Sequence, residues 1–518
     1  MKINVSGLAG CCLGAASAAS FPWVLDGGLV KWAALAVVAG VLLFRIRRLD
    51  WTDFAVLAFA AYAGLSLLWT PDPQFGLYSW VKLLLCVVLF ISLRGKTILP
   101  IRQVGAKTAP GWRKNCANSP TVLTWAAAVG VGLTLLQVPF GWVAHGGFAN
   151  ENLATEFLLV AMPSLLTPWF WPLAVASAVY LIGWNPSKLE LVSVGLVALW
   201  RPRYTVPVLA ILGAVAVWYG VHVMNTSVIS RLELWAATAS MWASAPVFGN
   251  GLGSFAYLYP AHGDAAMLLG LPQKLLVEDH VFAAAAHNDL LQLFAELGSV
   301  GVVGLGIILF QIRPCAIPVA TLALLGLLSL VGFPLQSPAT AILGALALSE
   351  AAGPRRAAVR PPPWLTAALG TIPVMGLWYG AFLAVVSGTY MQAMAVLTDR
   401  LPVEAFQANH QAVRVFPWDR YARFQLFRSL VKAENTGVRV SVRDGERVYG
   451  LSRSASPDHI GLVLPRLKYL VTHRRCGTEC DELLAKIANS RTYQAKKTIE
   501  RLKELHGESH RADRRGPE

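Results

Sequence analysis

The sequence predicts an all-α membrane protein: a polytopic helical bundle of about 12–13 transmembrane helices, with one large external loop and a small helical region at the C-terminus. Three observations predict it. Of 518 residues, 55% are hydrophobic and only 14% are charged, where a soluble chain carries about 25%. The apolar residues fall in long runs rather than in short amphipathic stripes. Lysine and arginine collect in alternate connections between those runs, the pattern that membrane orientation imposes.

The runs lie at about 3–25, 28–44, 51–69, 77–93, 120–137, 153–168, 169–184, 189–200, 204–221, 291–312, 316–332, 337–351 and 364–387. The first follows a single base, Lys2, so it reads as a retained helix and not as a cleaved leader, despite the small residues Ala15 to Ser20. Arg45, Arg47 and Arg48 follow the second run. Arg94, Lys96, Arg102, Lys107, Arg113 and Lys114 follow the fourth, and Arg201 and Arg203 the eighth. Arg313 follows the tenth, and Arg355, Arg356 and Arg360 the twelfth. All these clusters fall on one side, while the connections 70–76 and 138–152 contain no lysine or arginine. The N-terminus is therefore expected inside and the loop 222–290 outside. The same distribution argues against nucleic-acid binding. The net charge of +15 is spread over short connections and the tail and forms no continuous basic surface.

In the external loop, Ser230-Arg231-Leu232-Glu233 has the form of a capping box, which predicts a helix from there to about Pro246. Gly249, Gly251 and Gly253 follow. Such a run is either a plain turn or a phosphate-binding nest. Residues 1–387 form the membrane domain, and 388–518 read as a soluble, basic region. Within that region, 405–432 suggests two antiparallel helices broken at Phe416-Pro417-Trp418-Asp419, in the manner of a tetratricopeptide hairpin. A further helical piece is expected over 485–505 and a disordered end from Arg511. Cys476 and Cys480 are close enough to bridge if the tail is outside the cytoplasm; two free thiols are the alternative.

The external polar residues are few. His287-Asn288-Asp289 opens an apolar run, and Gln292 and Glu296 share one face of its helix. Gly298, Gly301 and Gly304 recur every third residue, which lets a neighbouring helix approach closely. His287 is either an interfacial histidine or a proton acceptor. Glu296, an ionisable group inside a membrane helix, serves either a hydrogen-bond network or a ligand. Asn150-Glu151-Asn152 is a helix cap or a polar binding loop. Lys188 is an interfacial lysine or an anion ligand. Arg231, in a first helical turn, works against the helix dipole, which favours a bound anion beside it. No grouping of His, Cys, Asp and Glu suggests a metal site.

Four stretches, in order, resemble the bacterial O-antigen ligase and polymerase family: Gly146-Gly147-Phe148-Ala149-Asn150-Glu151-Asn152; Arg231-Leu232-Glu233-Leu234-Trp235 through Pro246 to Gly253; His287-Asn288-Asp289-Leu290-Leu291-Gln292 with Glu296-Leu297-Gly298 and Gly301; and Phe333-Pro334-Leu335-Gln336-Ser337-Pro338-Ala339. The resemblance covers roughly residues 50–350. One position departs: Ser187-Lys188 stands where the family has Ser-Arg, and lysine lacks the guanidinium fork. The resemblance implies a glycosyltransferase of the GT-C type in the bacterial inner membrane. It would move a glycan from a polyprenyl diphosphate carrier to an acceptor hydroxyl at the periplasmic face, without a metal or other cofactor. His287 and Arg231 would be the catalytic residues; Lys188, Asn150, Asn152, Asn288, Gln292 and Glu296 would contact substrates. The expected acceptor is lipid A-core, as in lipopolysaccharide assembly. A second lipid-linked glycan, as in a polymerase, and a protein, as in protein O-oligosaccharyltransferases, are the alternatives. Outside enzymes, the alternative is a transporter or flippase, which would be expected to carry midplane polar groups and often an internal repeat.

Overall fold

A computed structural model of the chain describes residues 5–18, 27–43, 48–94, 121–137, 151–167, 169–184, 226–262, 283, 285–312, 316–330, 332–353, 355, 359–397, 402–415, 420–435, 441–453 and short pieces between 465 and 483. The apolar runs 189–200 and 204–221, the expected helix over 485–505 and the end beyond Arg511 lie outside the described residues. Among the described residues the fold is all-α. The longer helices are α1 (Val5–Ala18), α2 (Gly27–Leu43), α3 (Trp51–Leu65), α4 (Pro73–Leu93), α5 (Val122–Gln137), α6 (Glu151–Leu165), α7 (Trp171–Trp184), α8 (Thr226–Ser244), α9 (Asp289–Phe310), α10 (Ala316–Ser329), α11 (Pro338–Ala351), α12 (Pro363–Leu397), α13 (Pro402–Val415), α14 (Arg420–Asn435) and α15 (Val442–Arg453). Among the described residues, three segments are long and apolar enough to cross a membrane, Trp51–Leu68, Pro73–Leu93 and Asp289–Phe310, and six shorter helices are apolar.

The chain divides into two units. The first comprises residues 1–223, 247–253 and 287–385; the second comprises 224–246, 254–286 and 386–518. The long helix α12 runs from Pro363 to Leu397. The stretch 222–290 is not one element: its glycine turn belongs to the first unit and the rest up to Ala286 almost entirely to the second.

The first unit has one apolar core, with Leu13, Leu35, Leu85, Phe90, Leu123, Phe157, Ile342 and Leu377 all buried in it. Here α1 lies against α5 through its glycines. A Cβ on Gly10 would meet Val122 and Trp125, and one on Gly14 would meet Ala126, so small residues set the distance between these helices. The predicted spacing of Gly298, Gly301 and Gly304 works otherwise. Only Gly304 faces another helix, at Phe59 of α3, and Gly298 is a break in α9.

One end of this unit is held by charge. Asp50 caps α3, accepting from the N–H groups of Thr52 and Asp53, and Asp53 answers with a bond from the Asp50 N–H. Arg94, at the end of α4, forks onto Asp50 and reaches Asp53 at 3.1 Å. Arg355 bonds the other side of Asp53 at 2.6 Å and the carbonyls of Arg94 and Ile91. Beside it, Leu49 and Val359 exchange both backbone hydrogen bonds in an antiparallel bridge. Asp53 is fully buried and Arg94 is 2% exposed. Each charge therefore depends on its partners, and removing one strands the others. Asp53→Ala is expected to lower stability by about 3–5 kcal/mol, read as the thermal midpoint of the detergent-solubilised protein; an unchanged midpoint would mean that the cluster is dispensable. The start of α5 joins the same end, where Leu123 N–H bonds the carboxylate of Glu350. Trp125 packs edge-on against Phe170, at the turn between α6 and α7, 5.1 Å away. Trp51, Trp169, Trp171 and Trp364 all stand exposed at this end.

The second unit contains the antiparallel pair α13 and α14, with α15 packed beside α14. Ala405, Ala412, Leu426, Phe427, Leu430, Val448 and Tyr469 form its core, and Asn409 bonds Ser429 across the pair at 3.0 Å. Arg466 is buried, bonded to both Glu446 and Glu479 and stacked on Tyr449 at 4.2 Å.

Candidate active site

The chain enters α9 through His287, whose φ is +53°; among the described residues it is the one non-glycine at positive φ. This left-handed conformation costs an L-residue roughly 1–2 kcal/mol, so the surroundings must hold it. Asn288 is extended and is the N-cap of α9, its side chain accepting the Leu291 N–H at 2.9 Å. Asp289 stands in the first turn, where the helix dipole favours a carboxylate. It is buried and accepts the Leu335 N–H at 2.9 Å. That bond ties the mouth of α9 to the short 3₁₀ turn Pro334–Gln336. The residue just before this turn, Phe333, meets the His287 imidazole edge-on, with ring centres 4.6 Å apart at 87°. The half-buried histidine is thus aimed by an aromatic wall that Asp289 fixes in place.

A second chain of contacts runs behind it. Gln336 donates to Gln292 at 3.2 Å, Gln292 donates to Glu296 at 2.9 Å, and the other Glu296 oxygen accepts the Gly253 N–H at 2.8 Å. Glu296 is buried with both oxygens so engaged, which makes it a structural carboxylate of the glycine turn. Asn288, as the cap, is likewise committed to the helix through its oxygen.

The glycine turn completes a broken helix. At Gly298, φ +63° and ψ −168° interrupt α9, so the carbonyls before it lose their partners four residues on. The turn supplies new ones. Asn250 and Gly251 donate their N–H groups to Ala295 and Glu296 at 2.9 and 2.8 Å, and Val300 returns a bond to Val247 at 3.1 Å. Leu252 N–H bonds Ser66 Oγ at 3.0 Å. Tyr62 OH donates to the carbonyls of Leu297 and Phe248, and Trp69 Nε1 to that of Gly249. Gly249, Gly251 and Gly253 all have positive φ, and a Cβ on any of them would strike Glu296, Thr70 or Gly76. Four successive N–H groups, from Asn250 to Gly253, are therefore spent on protein acceptors. Of the two readings of this run, the plain turn stands and the phosphate nest does not.

Arg231 lies in the second unit. Its helix α8 begins at Thr226, five residues before the predicted first turn, because no proline or glycine between 226 and 230 stops it. Ser230 is consequently inside the helix and not its cap, and Arg231, half-buried, is in the second turn. The dipole argument for an anion beside it weakens accordingly. The same unit holds a histidine that sequence reasoning passed over: His262 Nδ1 lies 3.0 Å from Ser240 Oγ. Burial lowers its pKa below that of a free imidazole. Burial also pushes the Tyr259 phenol up to about 12, so it stays protonated and accepts the Ala283 N–H at 3.2 Å. Neither had a sequence signal beyond its residue type.

Asn152 is in the first turn of α6; Asn150 and Lys188 lie outside the described residues. Among the described residues no group of three or more His, Cys, Asp and Glu comes together in a way that could hold a metal. Of the residues expected to act together, Gln292 and Glu296 share one hydrogen-bond network with Gln336, while His287 and Asn288 stand at the mouth of the same helix, His287 against Phe333 and Asn288 as the cap.

Fold and site define a class: an all-α protein with helices fit to cross a membrane and a strained, half-buried histidine at the mouth of one of them. Comparison with protein-family models, with curated proteins and with solved structures gives no match.

Proposed function

We propose that the protein is a multi-pass membrane glycosyltransferase of the O-antigen ligase type. In this reading it transfers a glycan from a polyprenyl diphosphate carrier to an acceptor hydroxyl, in the first instance on lipid A-core, at the periplasmic face of the bacterial inner membrane. The observation that carries the reading is His287, held in a left-handed backbone at the entrance to α9 and faced by Phe333. Strain of this kind persists where the surrounding structure maintains it and concentrates at working sites.

The opposite end of the first unit supports the orientation. Arg94 and Arg355 lie there, as the positive-inside rule expects of a cytoplasmic boundary, and the exposed tryptophans suit a membrane interface on either side. The mouth of α9 then faces outward. Val303, Ile307 and Phe310 of α9 are exposed, as lipid-facing positions are.

A donor anchored in the bilayer and an acceptor in water meet at such a boundary. The acceptor hydroxyl attacks the anomeric carbon, its proton passes to a neutral His287 nitrogen, and the carbon–oxygen bond to the diphosphate breaks with the electron pair on the leaving phosphate. That leaving group needs cations, the role given to Arg231 and Lys188. Arg231→Ala should therefore abolish transfer and Arg231→Lys should lose most of it, because an ammonium offers no bidentate fork. Full transfer by Arg231→Ala protein at normal abundance removes the arginine from the mechanism.

Deleting the gene and resolving lipopolysaccharide on a gel tests the function itself. Loss of long chains, with lipid-linked polymer accumulating, is the predicted result. Chains of a single repeat point to polymerisation instead, and unchanged lipopolysaccharide contradicts this acceptor.

A further inference from the structure

Cys480 is buried, 2% exposed, and disulfide-bonded. It stands in a short helical piece beside Glu479, one of the two carboxylates that hold the buried Arg466. Arg466 in turn bonds Glu446 of α15 and stacks on Tyr449. The bond at Cys480 therefore fixes the segment that supplies one side of this buried ion cluster.

The partner can be narrowed. The chain has seven cysteines, of which Cys11, Cys12 and Cys86 are free. Cys116 and Cys315 follow the basic residues Lys114 and Arg313, on connections that the charge pattern assigns to the cytoplasm. Cys476 is the one further cysteine of the second unit. It is four residues from Cys480, well inside the span that a short loop closes.

We propose that Cys476 and Cys480 form a structural disulfide, made outside the cytoplasm, that clamps the C-terminal segment onto the α13–α15 core. Two thiols give up two protons and two electrons to the disulfide of an oxidising dithiol protein, which leaves reduced. Such oxidants act outside the cytoplasm, where thiols are not kept reduced. The compartment in this proposal rests on the orientation adopted above, and places everything after α12 outside.

The test uses the full-length protein in its native membranes. Free thiols are trapped with N-ethylmaleimide at lysis and the protein is digested with trypsin. Arg475 and Lys486 flank both cysteines, so one peptide carries the pair. The expected peptide is unalkylated and lighter by two hydrogens than its reduced form. In cells lacking the extracytoplasmic dithiol oxidase it should be doubly alkylated, and reduction of the purified protein should speed protease cleavage of the C-terminal unit. In a Cys480→Ser variant, Cys476 should become alkylated. A doubly alkylated peptide from wild-type membranes, a cross-link from Cys480 to a Cys116 or Cys315 peptide, or an unreactive Cys476 in the variant overturns the proposal. None of these outcomes bears on glycan transfer, and a failed transfer assay would leave the bond standing.

Discussion

His287→Ala is expected to lower glycan transfer by roughly 10²–10⁴, the range for losing a general base, while the protein still folds. The imidazole is half-buried, lies outside the helix and meets Phe333 by one edge, so its removal opens little of the core. The caps that order α9 belong to Asn288 and Asp289 and remain. A base must be neutral to accept a proton, so wild-type activity should fall on acidification and the variant should lose that limb. His287→Gln keeps a hydrogen-bonding side chain at a left-handed position and separates orientation of the hydroxyl from proton acceptance. Transfer by His287→Ala at the wild-type rate, measured on purified protein, would leave the strained backbone without a catalytic purpose.

Gly298→Ala should be the most damaging small substitution for the architecture. The residue sits at φ +63°, and a Cβ there would run into the carbonyl of Val247 and the N–H of Gly249. Left-handed alanine costs about 1–2 kcal/mol, and forcing backbone apart adds roughly 1–3. The turn would lift from α9, leaving the carbonyls of Ala295 and Glu296 and the carboxylate of Glu296 without the N–H groups they now hold. At Gly306, eight residues on in the same helix, an added Cβ would meet nothing within 4 Å, and Gly306→Ala serves as the matched control. The thermal midpoint should drop sharply for Gly298→Ala and hardly move for Gly306→Ala; equal behaviour of the two would show that the break in α9 is not a required feature.

The helical class and most helix positions were legible in the sequence because apolar runs of that length have one common use. The pair α13 and α14 was legible from the interruption at Phe416–Asp419. What stayed hidden depends on tertiary contact. Glu296 read equally as ligand or structure, because sequence cannot show that Gly253 turns its N–H toward it. For the three glycines of the turn, a plain turn was the favoured reading and a phosphate nest the weaker one; sequence could not settle it, because Gly251 and Gly253 donate to Glu296, far along the chain, and Leu252 between them to Ser66, far earlier. The Ser-Arg-Leu-Glu box at 230 was local chemistry overruled by a helix already under way from Thr226. Arg94 and Arg355 were read as topological markers, which does not conflict with their buried ion pairs to Asp50 and Asp53 but gives no hint of them. The left-handed angle at His287 had no sequence signal other than a histidine before a cap.

The most direct test of the central claim is transfer by the purified, reconstituted protein. A polyprenyl diphosphate-linked glycan and lipid A-core are supplied in the same liposomes with a metal chelator present. Appearance of glycosylated lipid A-core together with released polyprenyl diphosphate, dependent on His287, is the predicted result. Donor and acceptor recovered unchanged, with the protein folded and both substrates accessible from the face bearing His287, would contradict it.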